Sequence, residues 1–288
     1  MWGFTGILGK LIHLDAYYLV WHRVLIALIA LGIALAFLRK PLKPADFKSF
    51  LKIVGVGLFV VLHWMTFYKS IQLSTASLGI LCLSTTTLHV TWLEPIIMKR
   101  KFSWIEFFLG FLVIYGIYFV SSDFDANDKE ALIYGLFSAL FAALFSVFNA
   151  KLAQDTPSYQ ITFYEMVSAL VFLTSVLLFQ GNLSAELFKM TMSDFLWLLF
   201  LGIMCTSFAF LATIEVVKRL GAFTVSLSIN LEPVYTILLA IAILHEDKML
   251  SHHFYIGSSI IVVVVVANAV IKYYLKSKSN KALKDPSS

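Results

Sequence analysis

The sequence has 288 residues, of which 60% are hydrophobic and 14% are charged. Soluble domains carry about 45–50% apolar and about 25% charged residues. The composition therefore excludes a water-soluble globular protein and predicts a membrane protein that crosses the bilayer several times. The formal net charge is +5, but the lysines and arginines stand in short groups between apolar runs. This pattern indicates membrane orientation and no nucleic-acid partner.

Taken in chain order, the apolar runs predict ten transmembrane helices. A helix that crosses the hydrocarbon layer needs about 20 apolar residues. By this measure the spans cover residues 1–13, 17–38, 51–72, 75–98, 103–121, 131–152, 159–180, 193–216, 222–245 and 252–275. The first span is short and is apolar from its second residue, so we expect a truncated N-terminus.

The basic groups predict how the spans are oriented. If the N-terminus lies on side A, that side also receives the basic residues at 39–48, 99–101, 218–219 and 272–284, whereas the other side receives scattered lysines. Loops rich in lysine and arginine stay in the cytoplasm. We therefore predict a multi-pass protein of the inner (cytoplasmic) cell membrane with both termini in the cytoplasm.

The chain divides into two similar sets of five spans. An acidic stretch, residues 121–130, separates them. Residues 74–88 resemble residues 220–234, and short matches elsewhere keep the same order in both sets. Because five is odd, the second set enters the membrane from the opposite side. The predicted fold class is an all-α membrane protein with ten transmembrane helices as two inverted five-helix repeats, residues 1–121 and 131–275, followed by a cytoplasmic basic tail, residues 276–288.

The ninth span carries Glu232 and Pro233 near its middle. A carboxyl group at the centre of a membrane helix costs roughly 2.5–3.5 kcal/mol, which favours a protonated or a wet, paired site. Pro233 cannot donate to the carbonyl of Ile229 and so leaves that oxygen free. Helical spacing places Tyr235 on the face of Glu232. Glu232 is therefore a candidate for solute binding and for proton coupling, with a structural role as the alternative.

The internal repeat places polar residues of the fourth span opposite this face. Thr86 and His89 are the related residues, and both are candidates for solute binding or for a structural role. Inverted-repeat transporters bind their solutes where two such faces meet near the midplane. The further candidates in this central site are His63, Trp64, Asn149, Phe210 and Asn230.

The third span contains the stretch LHWMTFYKS, residues 62–70. An aromatic wall with one imidazole, at His63 and Trp64, suits a planar or amphipathic solute. Tyr68 lies nearer the end of the span, where tyrosines also form interfacial belts. Arg23 and Glu165 occupy related positions in the second and seventh spans and are gate or structural candidates, with structure favoured.

Arg23 and Glu165 are predicted to lie about 12 Å apart in depth at 1.5 Å per residue, too far to pair. Glu165 is instead expected to pair with Lys151, Lys218 or Arg219. No glycine-rich phosphate loop, no G-x-S-x-G and no histidine pair with metal spacing is present. The sequence therefore predicts no enzyme and no cofactor. A membrane-embedded enzyme that uses Glu232 with a histidine, and a passive channel, are the alternatives.

Several short motifs resemble the EamA type of the drug/metabolite transporter superfamily. They are the pair Trp2–Gly3 with Lys10, KRLGAF (218–223), NLEPV (230–234) and ILHED (243–247), which carries Glu246. The resemblance covers nearly the whole chain. It departs at Thr86 and Thr87, where the family often has proline, and at Lys99 and Arg100, where the repeat would place a partner for Glu246.

The resemblance implies a secondary transporter of small organic metabolites, amino-acid-like or otherwise amphipathic, with export as the favoured direction. Our hypothesis from the residues is alternating access, in which the two halves rock about a central site lined by the third, fourth, eighth and ninth spans. The expected partners are a small-molecule solute, the lipid bilayer and a proton as candidate coupling ion.

Overall fold

The computed structural model describes residues 3–43, 46–99, 102–122, 124–209 and 232–284. Across these ranges the chain forms helices and connecting turns and no strand. The helices are α1 (Gly3–Leu11), α2 (Ala16–Phe37), α3 (Phe47–Leu73), α4 (Ala76–Ser84), α5 (Thr86–Met98), α6 (Trp104–Val120), α7 (Ala126–Leu152), α8 (Ser158–Phe179), α9 (Met192–Leu199), α10 (Glu232–Leu244) and α11 (His252–Lys284). The prediction of an all-α protein is confirmed.

Five helical stretches are long and apolar enough to cross a membrane: Ala16–Phe37, Phe47–Leu73, Ala76–Met98, Ala126–Leu152 and Ser158–Phe179. Shorter apolar helices lie within four of the five remaining predicted spans, at Phe107–Val120, Met192–Phe208, Glu232–Leu244 and His252–Asn268. The protein is therefore a multi-pass membrane protein. The count of ten spans and the inverted repeat stay predictions.

Hydrogen bonds between connecting segments fall at two opposite ends of the helices. The first end, where α1 stops and α2 starts, holds the bonds of His13 with Asp194, Gln72 with Leu14 and Tyr18 with Asn182. The second end, where α2 stops and α3 starts, holds those of Gln160 with Pro41, Tyr164 with Leu42 and Lys151 with Ile97. Successive long helices thus run in alternating directions between the two ends.

The fourth predicted span is broken in its middle. α4 ends at Ser84 and α5 begins at Thr86, and Thr85 between them closes a tight turn with its N–H 3.0 Å from the carbonyl of Cys82. The hydroxyls of Ser84, Thr85 and Thr86 each donate to a carbonyl three residues earlier at 2.6 Å. Such local side-chain bonds compete with the helical ladder and bend helices. Three hydroxyl residues therefore accompany the break between α4 and α5.

The N-terminus of α4 is held by Glu246, which follows α10. Its carboxylate accepts hydrogen bonds from the N–H of Ala76 at 2.7 Å, the N–H of Ser77 at 3.0 Å and the Ser77 hydroxyl at 2.6 Å. A carboxylate at this position satisfies orphan amides and meets the positive end of the helix dipole. The partner of Glu246 is thus a helix terminus at the first end, whereas Lys99 follows α5 at the second end.

α3 lies at the centre of the described helices and contacts α7 along one side and α8 along another. The Ser168 hydroxyl of α8 donates to the carbonyl of Val54 at 2.7 Å. A Cβ on Gly57 would lie 2.8 Å from the Cβ of Ser168 and 2.9 Å from the carbonyl of Glu165. The absence of a side chain at Gly57 therefore sets how closely α3 and α8 approach.

This contact predicts opposite effects for two glycines of α3. Gly57→Ala should lower the free energy of unfolding by about 1–3 kcal/mol, because the added methyl overpacks the α3–α8 contact. Gly55→Ala meets nothing within 4 Å and should raise that free energy by about 0.5–1 kcal/mol. Denaturant titration of both variants in mixed micelles measures the difference. Equal effects of the two substitutions would contradict the packing described.

Candidate functional site

Arg23 is a buried cation in the membrane-spanning part of α2, with 3% of its surface exposed. Its Nε donates to the Thr206 hydroxyl at 2.9 Å, and its NH1 donates to the Tyr68 hydroxyl at 3.0 Å. The guanidinium carbon lies 4.1 Å from the centre of the Trp64 ring. Within the described ranges no carboxylate forms an ion pair with it. Neutral groups from three helical segments therefore hold the charge.

Thr206 reaches Arg23 because the chain after α9 continues as a π-helix, Phe200–Phe208. The Thr206 hydroxyl donates to the carbonyl of Leu201 at 2.9 Å, and the Ser207 hydroxyl donates to the carbonyl of Ala27 on α2 at 2.9 Å. A π-helix turns its side chains out of the α-helical register and is frequent at functional sites. This irregular segment places two hydroxyls against α2.

His63 lies on α3 next to Trp64 and faces α7. Its Nδ1 is 2.8 Å from the Ser138 hydroxyl, and its ring packs on Phe67 and Phe145 at centroid distances of 5.9 and 5.6 Å. The structure thus brings the predicted His63 and Trp64 together with Arg23 on one stretch of α2 and α3. The aromatic wall expected from the third span is present there.

Glu165 is a second buried charged residue, on α8, with 1% of its surface exposed. Its carboxyl lies close enough to the side chain of Asn149 on α7 to interact with it. Its Oε1 and the Oδ1 of Asn149 are both buried, and neither has a hydrogen-bond partner within the described ranges. The predicted pairing with Lys151 is wrong, because the Lys151 ammonium donates to the carbonyl of Ile97 at 3.1 Å. Lys218 and Arg219 lie outside the described residues.

Arg23 and Glu165 occupy mirrored places along the protein. α2 and α8 each have 22 residues, and each of the two ionisable residues lies seven positions after the first residue of its helix. At 1.5 Å per residue this is about 10 Å from the first end for Arg23 and about 10 Å from the second end for Glu165. The cation and the carboxyl do not contact each other.

The other predicted site residues lie away from this cluster or beyond the described part. The Thr86 hydroxyl donates to the carbonyl of Leu83, in its own span. His89 packs on Trp92, and its buried Nδ1 lacks a hydrogen-bond partner among the described residues. Glu232 opens α10, and Tyr235 on the same helix is 55% exposed. Phe210 and Asn230 lie outside the described residues.

The sequence did not indicate two of the Arg23 partners. For Tyr68 an interfacial belt was one interpretation of the sequence, whereas the structure buries the side chain fully and bonds it to Arg23. The available signal was the helical spacing, since Trp64 and Tyr68 lie four residues apart and share one face. No sequence pattern used above indicates the π-helix that positions Thr206.

The hydrogen bond from Arg23 predicts a cost for removing the Tyr68 oxygen. Tyr68→Phe keeps the ring but leaves one guanidinium N–H without its acceptor, and should lower the free energy of unfolding by about 1.5–3 kcal/mol. Tyr118→Phe on α6 is the control, because that side chain is 70% exposed. Denaturant titration in mixed micelles compares them. An unchanged Tyr68→Phe protein would show that the bond does not support the site.

Comparison with known proteins agrees with this architecture. The model of the EamA-like transporter family matches residues 1–122 and 129–268. One solved crystal structure is similar with a TM-score of 0.64, over 95% of this chain and 94% of that chain, at 16% identity, which concerns the fold alone. No curated protein matches the chain. The chain belongs to the EamA-like transporter family, and this membership indicates a membrane transporter of small solutes.

Proposed function

We propose that the protein is a secondary transporter that moves small organic metabolites across the inner cell membrane by alternating access. The two halves, residues 1–121 and 131–275, would rock about a central site and open it to one side at a time. Export is the favoured direction. Solute gradients, proton gradients or exchange would drive it, since the sequence shows no phosphate-binding loop for a nucleotide.

The observation that carries this proposal is the mirrored pair Arg23 and Glu165. Both are buried in membrane-spanning helices, at equal depths from opposite ends, and neither forms an ion pair within the described ranges. Ionisable residues inside membrane helices are costly and mark solute or ion pathways. An arrangement related by inversion is what two halves that alternate between sides require.

Two features of the helices support the same mechanism. The break between α4 and α5 at Thr85 lies in the middle of a predicted span, and transporters of inverted-repeat folds form their sites at interrupted helices. The family model matches the chain in two stretches, residues 1–122 and 129–268, which agrees with a division into halves at the acidic stretch 121–130.

Orientation follows from charge. The second end of the protein carries the basic residues at 39–43, and basic loops stay in the cytoplasm. This assignment places Arg23 in the outer half and Glu165 in the inner half of the membrane. It also places both termini and the basic tail, residues 276–288, in the cytoplasm.

The predicted site residues take the following roles in this mechanism. His63 and Trp64 line the outer part of the solute path, and Asn149 supports Glu165 in the inner part. Glu232 is the proton-coupling candidate. The remaining candidates are Thr86, His89, Phe210, Asn230 and Tyr235.

Reconstituted protein tests the transport proposal. Proteoliposomes incubated with an isotope-labelled mixture of amino acids and small organic acids should show saturable uptake that exceeds protein-free liposomes at least tenfold. Glu232→Gln should abolish any stimulation of this flux by a pH gradient, because glutamine cannot exchange a proton. Glu186→Gln is the matched control, since Glu186 is exposed and paired with Lys189 outside the spans.

Two results would count against these assignments. Gradient-stimulated flux that is unchanged in Glu232→Gln would remove Glu232 from coupling. Single-channel conductance with flux that does not saturate would replace the transporter by a passive pore.

A further inference from the structure

We propose that Arg23 binds a carboxylate group of the transported solute, so that the substrates are small organic acids or amino acids with a free carboxylate. The proposal rests on the proposed transport function and names the substrate class of its site. It turns Arg23 from a gate or structural candidate into a solute-binding residue.

The first argument is the unused hydrogen-bonding capacity of Arg23. A guanidinium has five N–H donors, and the bonds to Thr206 and Tyr68 engage two of them. The described surroundings leave three donors for another acceptor. Both partners are neutral hydroxyls, so no described residue compensates the positive charge of Arg23.

The second argument is that the other buried carboxylates near the first end are already engaged. Asp194 accepts from the N–H of His13 at 2.9 Å and from the Thr191 hydroxyl at 2.7 Å. Glu246 holds the N-terminus of α4. Glu165 lies about 12 Å deeper along the bundle at 1.5 Å per residue. A solute carboxylate would supply the missing negative charge.

The third argument is the geometry of the guanidinium. The Trp64 ring lies 4.1 Å from its carbon, so one flat face of the guanidinium meets an aromatic ring, and its N–H groups lie along its edge. The edge of a stacked guanidinium is the part that forms two parallel hydrogen bonds with a carboxylate. The free edge of the Arg23 guanidinium therefore has the geometry needed to donate two parallel hydrogen bonds to a carboxylate.

The hydroxyl partners add direction to this donor set. The Thr206 hydroxyl gives its hydrogen to the carbonyl of Leu201 and accepts from Arg23, which fixes the guanidinium. The Tyr68 oxygen accepts from Arg23, and its own hydrogen remains for a third bond to the solute carboxylate. The neighbouring rings of Phe67 and Trp64 offer apolar surface for the rest of the solute.

A separate cavity does not serve this role. It lies between α5, α6 and α11, is lined in part by Leu88, Gly110, Val264 and Asn268, and holds a volume of ≈ 10 Å³, about the size of one water. No residue of the Arg23 cluster lines it. Since Arg23 is 3% exposed, a solute reaches it only when the helices around it separate.

The test compares acids with their uncharged amides. Purified protein in lipid nanodiscs is heated in the presence of phenylacetate, indole-3-acetate, butyrate, L-phenylalanine and L-leucine, each beside the amide of the same skeleton. At least one acid should raise the unfolding temperature while its amide does not, because a ligand that binds the folded state stabilises it. Arg23→Gln should abolish that rise. Arg23→Lys keeps the charge but loses the two parallel N–H donors, so the acid concentration that gives half of the maximal rise should increase at least tenfold.

Lys189→Gln is the matched control, because it removes one positive charge from an exposed residue at the same end of the protein and should leave the rise intact. An equal rise with acid and amide, a rise that persists in Arg23→Gln, or no rise with any acid would overturn the carboxylate assignment. If Arg23→Gln does not fold, the acid–amide comparison and Arg23→Lys decide. If one of these contrary results is found but an uncharged solute still shows saturable flux, the protein is a transporter and only the carboxylate substrate class is wrong. The absence of all saturable flux would remove transport itself.

Discussion

A single positive charge held among neutral side chains draws α2, α3 and the π-helix together. The guanidinium of Arg23 on α2 meets Trp64 and Tyr68 of α3 and Thr206 of the π-helix, so three helical segments converge on it. An ionised group in a medium of low polarity is tolerated only when hydrogen bonds and rings replace its hydration. Among the described residues the cluster supplies those contacts but no countercharge, and this imbalance is the basis of the proposal that the site binds an anion.

The rest of the architecture positions this charge without neutralising it. Gly57 lets α3 approach α8 closely, which fixes the helix that carries Trp64 and Tyr68 against the helix that carries Glu165. Glu246 ties the start of α4 to the chain after α10, so its carboxylate anchors a helix terminus and does not neutralise Arg23. The break at Thr85 provides an interrupted helix beside α7, and in the proposed mechanism a small rotation there would change which end of the protein is open.

The sequence was sufficient to predict the features that depend on the length of apolar runs and on the regular spacing of residues along a helix. Apolar run length located the long helices to within a few residues, and helical rise placed Arg23 and Glu165 at different depths. Features that depend on hydrogen bonds between distant segments were not accessible. The bond of Tyr68 to Arg23, the contact of Glu246 with Ala76 and the partner of Glu165 each join residues whose proximity no local pattern encodes. The break at Thr85 had a local signal in four consecutive hydroxyl residues, 84–87, which the sequence-based predictions did not use.

The central claim is that the Arg23 site opens to the outside and closes around a solute carboxylate. The rate at which a maleimide modifies each native cysteine tests it most directly. Cys205 is fully buried and close enough to Arg23 and Tyr68 to interact with them electrostatically, and Cys82 is buried between α4 and α7. In proteoliposomes of defined orientation, a membrane-impermeant maleimide applied from outside should modify Cys205 much faster than Cys82, and a bound organic acid should slow that reaction. A Cys205 thiol that stays unreactive, or that reacts at the same rate with and without the acid, would contradict the account.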